Sequence, residues 1–129
     1  MTVNVSVRLD DGLAGRLRLQ SRAAGETMSE RLRRSAEEGV RHDDHPLIVF
    51  RAGPAGRRAG LIGGPDVWEI AMWLDDYGET GGAAADLIAD GAVTRAQLDA
   101  ARAYRAAFPD EIQARIDLHR ERTRSADIR

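Results

Sequence analysis

Thr2-Val3-Asn4-Val5-Ser6-Val7-Arg8-Leu9 decides how the rest of the chain is read. Apolar and polar residues alternate without a fault. Val3, Val5, Val7 and Leu9 point one way, and Thr2, Asn4, Ser6 and Arg8 point the other. Period two is the mark of a half-buried β-strand, and β-branched residues suit its inner face. A single strand leaves its backbone donors and acceptors unpaired. No later run alternates as well, so the expected partner is the same strand of a second copy. The product is a two-stranded antiparallel ribbon with a polar outer face, a shape that fits the major groove of DNA.

Beyond the strand, Asp10-Asp11 precedes an apolar-periodic run with Leu13, Leu17 and Ala24 near one face. An Asp N-cap and a second Asp at the positive end of the dipole predict a helix over 11–24. Gln20 interrupts its apolar face, and Gly25 ends it. Thr27-Met28-Ser29-Glu30 has capping-box spacing and opens a second helix. Met28, Leu32, Ala36 and Val40 form the stripe expected to be buried, with the helix ending around Arg41. His42-Asp43-Asp44-His45-Pro46 is polar and reads as a linker.

Strand, helix, tight turn and helix over the first third of the chain resemble the ribbon-helix-helix DNA-binding proteins, the Arc, MetJ and CopG group. The resemblance rests on Val5 to Asp11, the Leu13/Leu17 pair, and Gly25 before the Thr27-capped helix. It implies that Asn4, Ser6 and Arg8 read bases. It also implies that backbone N–H groups at Thr27, Met28 and Ser29 hold a phosphate. The chemistry agrees: Arg pairs with guanine and Asn with adenine through two hydrogen bonds, and a helix N-terminus attracts anions. A plain solvated sheet edge is the competing reading of the strand alone. A unit this small needs intertwined dimerisation to bury a core.

The expected organisation is α+β: residues 1–45 as a dimeric ribbon-helix-helix domain, and residues 46–129 as a small, mainly α-helical partner-binding domain. In the second, Leu47-Ile48-Val49-Phe50 predicts a strand. Residues 51–65 are rich in glycine and proline and include Arg57-Arg58. Their spacing fits neither a P-loop nor a dinucleotide fingerprint, so a β-hairpin or a turn is favoured over a phosphate loop. Pro65-Asp66 opens a central apolar helix through Leu74, with Trp68 and Trp73 read as core. Tyr77-Gly78 ends it, Thr80-Gly81-Gly82 is read as a flexible turn, and a short helix over 83–89 follows. Thr94-Arg95-Ala96-Gln97 caps a helix whose face carries Leu98, Ala101, Tyr104 and Phe108. A last helix over 111–124 buries Ile112 and Ile116, and residues 125–129 are read as a frayed tail.

This half resembles, more loosely, the family called domain of unknown function 433. The residues concerned are Gly64 with Val67, Ala100-Ala101-Arg102-Ala103-Tyr104, and Glu111-Ile112 after Pro109-Asp110. Together the halves look like a type II antitoxin of the VapB kind. The implied function is a transcriptional repressor that neutralises a PIN-domain ribonuclease. Arg115, Arg120, Arg122 and Arg124 on the last helix are the expected toxin-binding residues, because a guanidinium satisfies the carboxylates of a metal-dependent nuclease. A protein–protein adaptor, or a regulator without a toxin, is the alternative.

Composition bounds these readings. Net charge is −2, and residues 1–45 hold as many acidic as basic side chains, so any case for DNA rests on where the arginines sit. All 19 basic residues are arginine, and there is no cysteine to form a disulfide or a thiolate metal site. No apolar run reaches membrane-spanning length and no signal peptide precedes the strand, so a soluble cytoplasmic protein without membrane contact is expected. His42 and His45 flank Asp43-Asp44 without ligand spacing, and Asp75-Asp76 point about 100° apart on a helix. Neither supports a metal site or a catalytic dyad. The expectation is no catalysis and no cofactor.

Overall fold

The computed structural model describes residues 1–78 and 82–127. It is an α+β protein, mostly helical. Among the described residues there are six helices and one two-stranded antiparallel sheet. In order they are α1 (Asp11–Ala24), α2 (Met28–Asp44), β1 (Ile48–Arg51), β2 (Arg58–Leu61), α3 (Val67–Tyr77), α4 (Ala83–Ala89), α5 (Arg95–Ala107) and α6 (Pro109–Asp127). Contacts divide the chain into two compact units, Met1–Val40 and Arg41–Arg129. The division falls within α2.

In the first unit, local chemistry sets the helix ends as the sequence predicts. The Asp10 carboxylate accepts the Leu13 N–H at 2.8 Å and caps α1. Gly25 closes α1 at φ 67°, a left-handed conformation that glycine adopts without a Cβ clash. Thr27 and Glu30 form the reciprocal capping box at the start of α2. Gln20 acquires a partner in place of an apolar contact: its Oε1 accepts from Arg31 at 2.7 Å, tying α1 to α2.

Two expectations for this unit are not met within the single chain. Residues 1–10 carry no regular structure, and no other described segment pairs with them. Val3, Val5 and Val7 stand 79%, 79% and 65% exposed. The stripe expected to be buried on α2 is also uncovered. All of α2 is described and none of it is buried, with Ala36 and Val40 exposed and Met28 and Leu32 half-buried. Leu17 and Ser21 are the buried residues of α1.

The second unit holds a full core. β1 and β2 pair from Ile48↔Leu61 to Arg51↔Arg58, making the hairpin predicted for the glycine-rich stretch. Ile48 and Leu61 are wholly buried. α3 is central, packing against β2, α4, α5 and α6 through Val67, Ile70, Ala71 and Leu74. Thr94 and Gln97 cap α5 reciprocally, and α5 buries Leu98, Ala101 and Tyr104. α6 buries Ile112 and Ile116.

Three boundaries and the burial of one side chain differ from expectation. His42 to Asp44 are helical rather than linker: His42 Nδ1 bonds the Ile48 carbonyl at 2.7 Å, and the following His45 packs edge-on against Tyr104. α6 starts at Pro109, which loses no helical hydrogen bond in the first turn, and it runs to Asp127 instead of fraying after Arg124. Trp73 is not core; it is partly exposed and lies against the exposed Tyr77 at 4.3 Å between rings. Of the turn expected over Thr80-Gly81-Gly82, Thr80 and Gly81 lie outside the described residues.

Candidate functional site

The residues expected to read bases, Asn4, Ser6 and Arg8, are all exposed, in register between the exposed valines. Nothing in the single chain competes for the Arg8 guanidinium among the described residues. The expected phosphate site is more restricted than its sequence suggests. The Thr27 N–H is spent on Glu30 Oε2 at 2.9 Å, and the Glu30 carboxylate lies over the first turn of α2. That leaves the N–H groups of Met28 and Ser29 as the donors of this helix end. Close by, Arg34 pairs with Glu26 at 3.0 Å and Arg31 with the same carboxylate at 3.6 Å.

The four arginines of α6 do not form one cluster. Arg115 and Arg122 are seven residues apart and share one face, while Arg120 and Arg124 share another. Arg115 donates to the Arg57 carbonyl at 2.7 Å, and Arg120 pairs with Asp76 at 2.7 Å. Arg122 and Arg124 have no hydrogen bond or ion pair among the described residues. Asp75 turns to a different partner, a two-pronged pair with Arg105 at 2.8 and 2.7 Å. That hydrogen bonding holds the Asp75 carboxyl below its ordinary pKa.

Two polar centres were not read from the sequence. Asp66, read with Pro65 as the opening of α3, makes no cap hydrogen bond. Its buried carboxylate instead accepts from Arg51 at 2.8 Å, from Arg58, and from the Trp68 indole N–H at 3.2 Å. Arg51 and Arg58 are register partners in the hairpin, so the turn itself brings two guanidiniums to one acid. The Glu69 carboxyl nearby is pushed above its ordinary pKa, first by burial and then by the Asp66 charge.

The second centre is Arg41. Its Nη1 donates to Tyr104 Oη at 2.9 Å and to Glu111 at 2.7 Å, and its guanidinium lies 4.0 Å above the Phe108 ring. The Tyr104 hydroxyl donates to Glu111 at 2.5 Å. Burial, then the Glu111 hydrogen bond, raises the Tyr104 phenol above its ordinary pKa. The only sequence signal was Tyr104 on an otherwise apolar face, since a buried phenol needs a partner.

Two of the cavities on the second unit lie between its packed elements. One, of 400 Å³, is mainly apolar and lies between α3 and α5, bordered by Ile70, Leu74, Ala101 and Arg105. The other, of 290 Å³, is polar and lies between the hairpin loop, α3 and α6. Among the described residues no cluster of His, Asp or Glu is placed to hold a metal ion, and no helix is long and apolar enough to cross a membrane. Comparison with family models, with curated proteins and with solved structures finds no match to this chain, so the resemblances rest on the residues that carry them.

Proposed function

We propose that the chain is a dimeric DNA-binding repressor and the antitoxin of a type II pair whose toxin is a PIN-domain ribonuclease. The observation that carries the DNA-binding part is the uncovered apolar seam of the first unit. Val3, Val5 and Val7 alternate with Asn4, Ser6 and Arg8, and all six are exposed. α2 presents Met28, Leu32, Ala36 and Val40 with none buried. Full burial of a valine contributes roughly 1.5 kcal/mol or more, so a second copy pairing strand to strand gains several times that. Such pairing leaves Asn4, Ser6 and Arg8 outward on a ribbon of groove-fitting width. A phosphate at α2 is then met by the N–H groups of Met28 and Ser29, since Thr27 is occupied.

Selection from a random DNA pool, followed by affinity measurement at several salt concentrations, tests this reading. Arg8→Ala is expected to lose sequence preference, at about 1–3 kcal/mol per two-pronged base contact. Ser29→Pro removes one N–H that α2 does not use and is expected to weaken all DNA alike. No selected sequence, or undiminished preference in Arg8→Ala, contradicts it.

For the toxin, the available guanidiniums are Arg122 and Arg124, because Arg115 and Arg120 are engaged within the unit. Arg122→Ala combined with Arg124→Ala is expected to release RNA cleavage by a co-purified toxin while DNA binding persists. Full inhibition by that variant places neutralisation elsewhere. The adaptor reading is favoured by one observation, the even charge balance of residues 1–45, and it predicts dimerisation without salt-dependent DNA binding.

A further inference from the structure

The polar cavity of the second unit has a layout that the proposed DNA contacts do not explain, and it shares only Arg122 with the proposed toxin contact. One wall is a single stripe of α6: Arg115, Leu118, His119 and Arg122, spaced i, i+3, i+4 and i+7. The facing wall is the start of α3, where the Trp68 ring lies 5.0 Å from the His119 ring. The roof is the hairpin loop Gly53-Pro54-Ala55-Gly56. Its glycines let the backbone settle onto guanidiniums. A Cβ on Gly53 would stand 2.5 Å from Arg58 Nη1, and Gly56 adopts φ 93° beside Arg115.

The charges around this cavity do not cancel. Asp66 is shared by Arg51 and Arg58. Arg115 is bonded to a carbonyl and to no carboxylate, and Arg122 has no partner among the described residues. Glu69 is the other acid of the lining. Four guanidiniums therefore face two carboxylates, one of the four being Arg51 behind Asp66. An arginine has five N–H donors in a planar fork, so Arg115 keeps donors to spare. Guanidiniums in excess beside an indole face suit an oxyanion joined to a flat apolar body.

We propose that this cavity binds a small organic oxyanion, a phosphate or carboxylate on an aromatic-sized body. Arg115 and Arg122 take the oxyanion, and Trp68 with Leu118 takes the body. The site shares Arg122 with the proposed toxin contact and rests on none of the residues proposed to meet DNA.

Trp68 is its own reporter once Trp73 is replaced. Full-length protein carrying Trp73→Phe is titrated with phenyl phosphate, benzoate and neutral benzyl alcohol, and Trp68 emission is read. In parallel, the His119 ring signals of the unaltered chain are followed by NMR. The expected result is saturable binding of at least one of the two anions, with the preferred headgroup telling phosphate from carboxylate. Benzyl alcohol and the Arg122→Ala variant are each expected to bind about tenfold more weakly, the worth of one charge-assisted contact. The proposal is overturned if neither anion saturates in either readout, if benzyl alcohol binds as well as the anions, or if Arg122→Ala changes nothing.

Discussion

The two units of this chain solve the problem of burial differently. Residues 41–129 enclose their own core: Ile48, Leu61, Tyr104 and Ile116 have no exposed surface at all. Residues 1–40 have well-capped helices and almost nothing inside, with Leu17 and Ser21 their buried residues among those described. Capping fixes where a helix begins and ends, at roughly 1 kcal/mol per cap, but it does not supply a core. The uncovered apolar stripe of this well-capped unit is the surface that the proposed dimerisation would cover. The difference gives a physical reason for placing dimerisation in the first unit and small-ligand or partner binding in the second.

The contrast predicts that the units break separately. Val5→Asp, which places a charge in the expected ribbon seam, should abolish dimerisation and DNA binding outright. The second unit should keep its thermal transition. Sedimentation of the variant beside the wild type reads the first effect and calorimetry the second. Loss of the second unit's transition in Val5→Asp shows that the units are not independent.

The converse change is Ile116→Ala. It removes a fully buried side chain from the second unit and should cost about 2–5 kcal/mol there, read as a lower melting temperature. Self-association should be unchanged. A loss of self-association means that the second unit also holds the dimer together.

Smaller effects sharpen the picture of the second unit alone. Asp75 has a lowered pKa in the folded chain, so its stabilisation is present above the ordinary carboxylate range and lost as pH falls below it. Asp75→Asn should lower the melting temperature at neutral pH and converge with wild type in acid. Glu69 has a raised pKa, so its charged form costs stability as pH rises through that value. Glu69→Gln should raise the melting temperature slightly at neutral pH. Melting curves from acid to neutral pH check both, and a reversed sign for either refutes the assigned cause.

Much of the fold was legible because its signals are local. Asp10, Gly25, Thr27 with Glu30 and Thr94 with Gln97 mark helix ends through hydrogen bonds spanning three or four residues. The hairpin followed from glycines and prolines between apolar runs. What could not be read depends on distant partners. Asp66 was read only as part of the opening of α3 and serves as an ion-pair centre, because its arginines arrive through the hairpin register. His42 and His45 looked like linker because Ile48 and Tyr104, which hold them, are apolar or remote in sequence. The arginines of α6 looked like one cluster because sequence proximity conceals which face each takes and that Asp76 claims one of them. The alternation of residues 2–9 was the clearest local signal of all, yet a strand is completed only by a neighbour, and none of the described segments pairs with these residues.

Amide hydrogen exchange of the full chain, measured over a range of concentrations, reads the proposed ribbon itself. In an antiparallel ribbon only alternate amides of each strand point at the partner. The expected result is alternating protection over Val3–Leu9 that deepens with concentration, along with the amides of α1 and α2, while the core of residues 41–129 exchanges at a concentration-independent rate. Free exchange of Val3–Leu9 at every concentration would contradict the account.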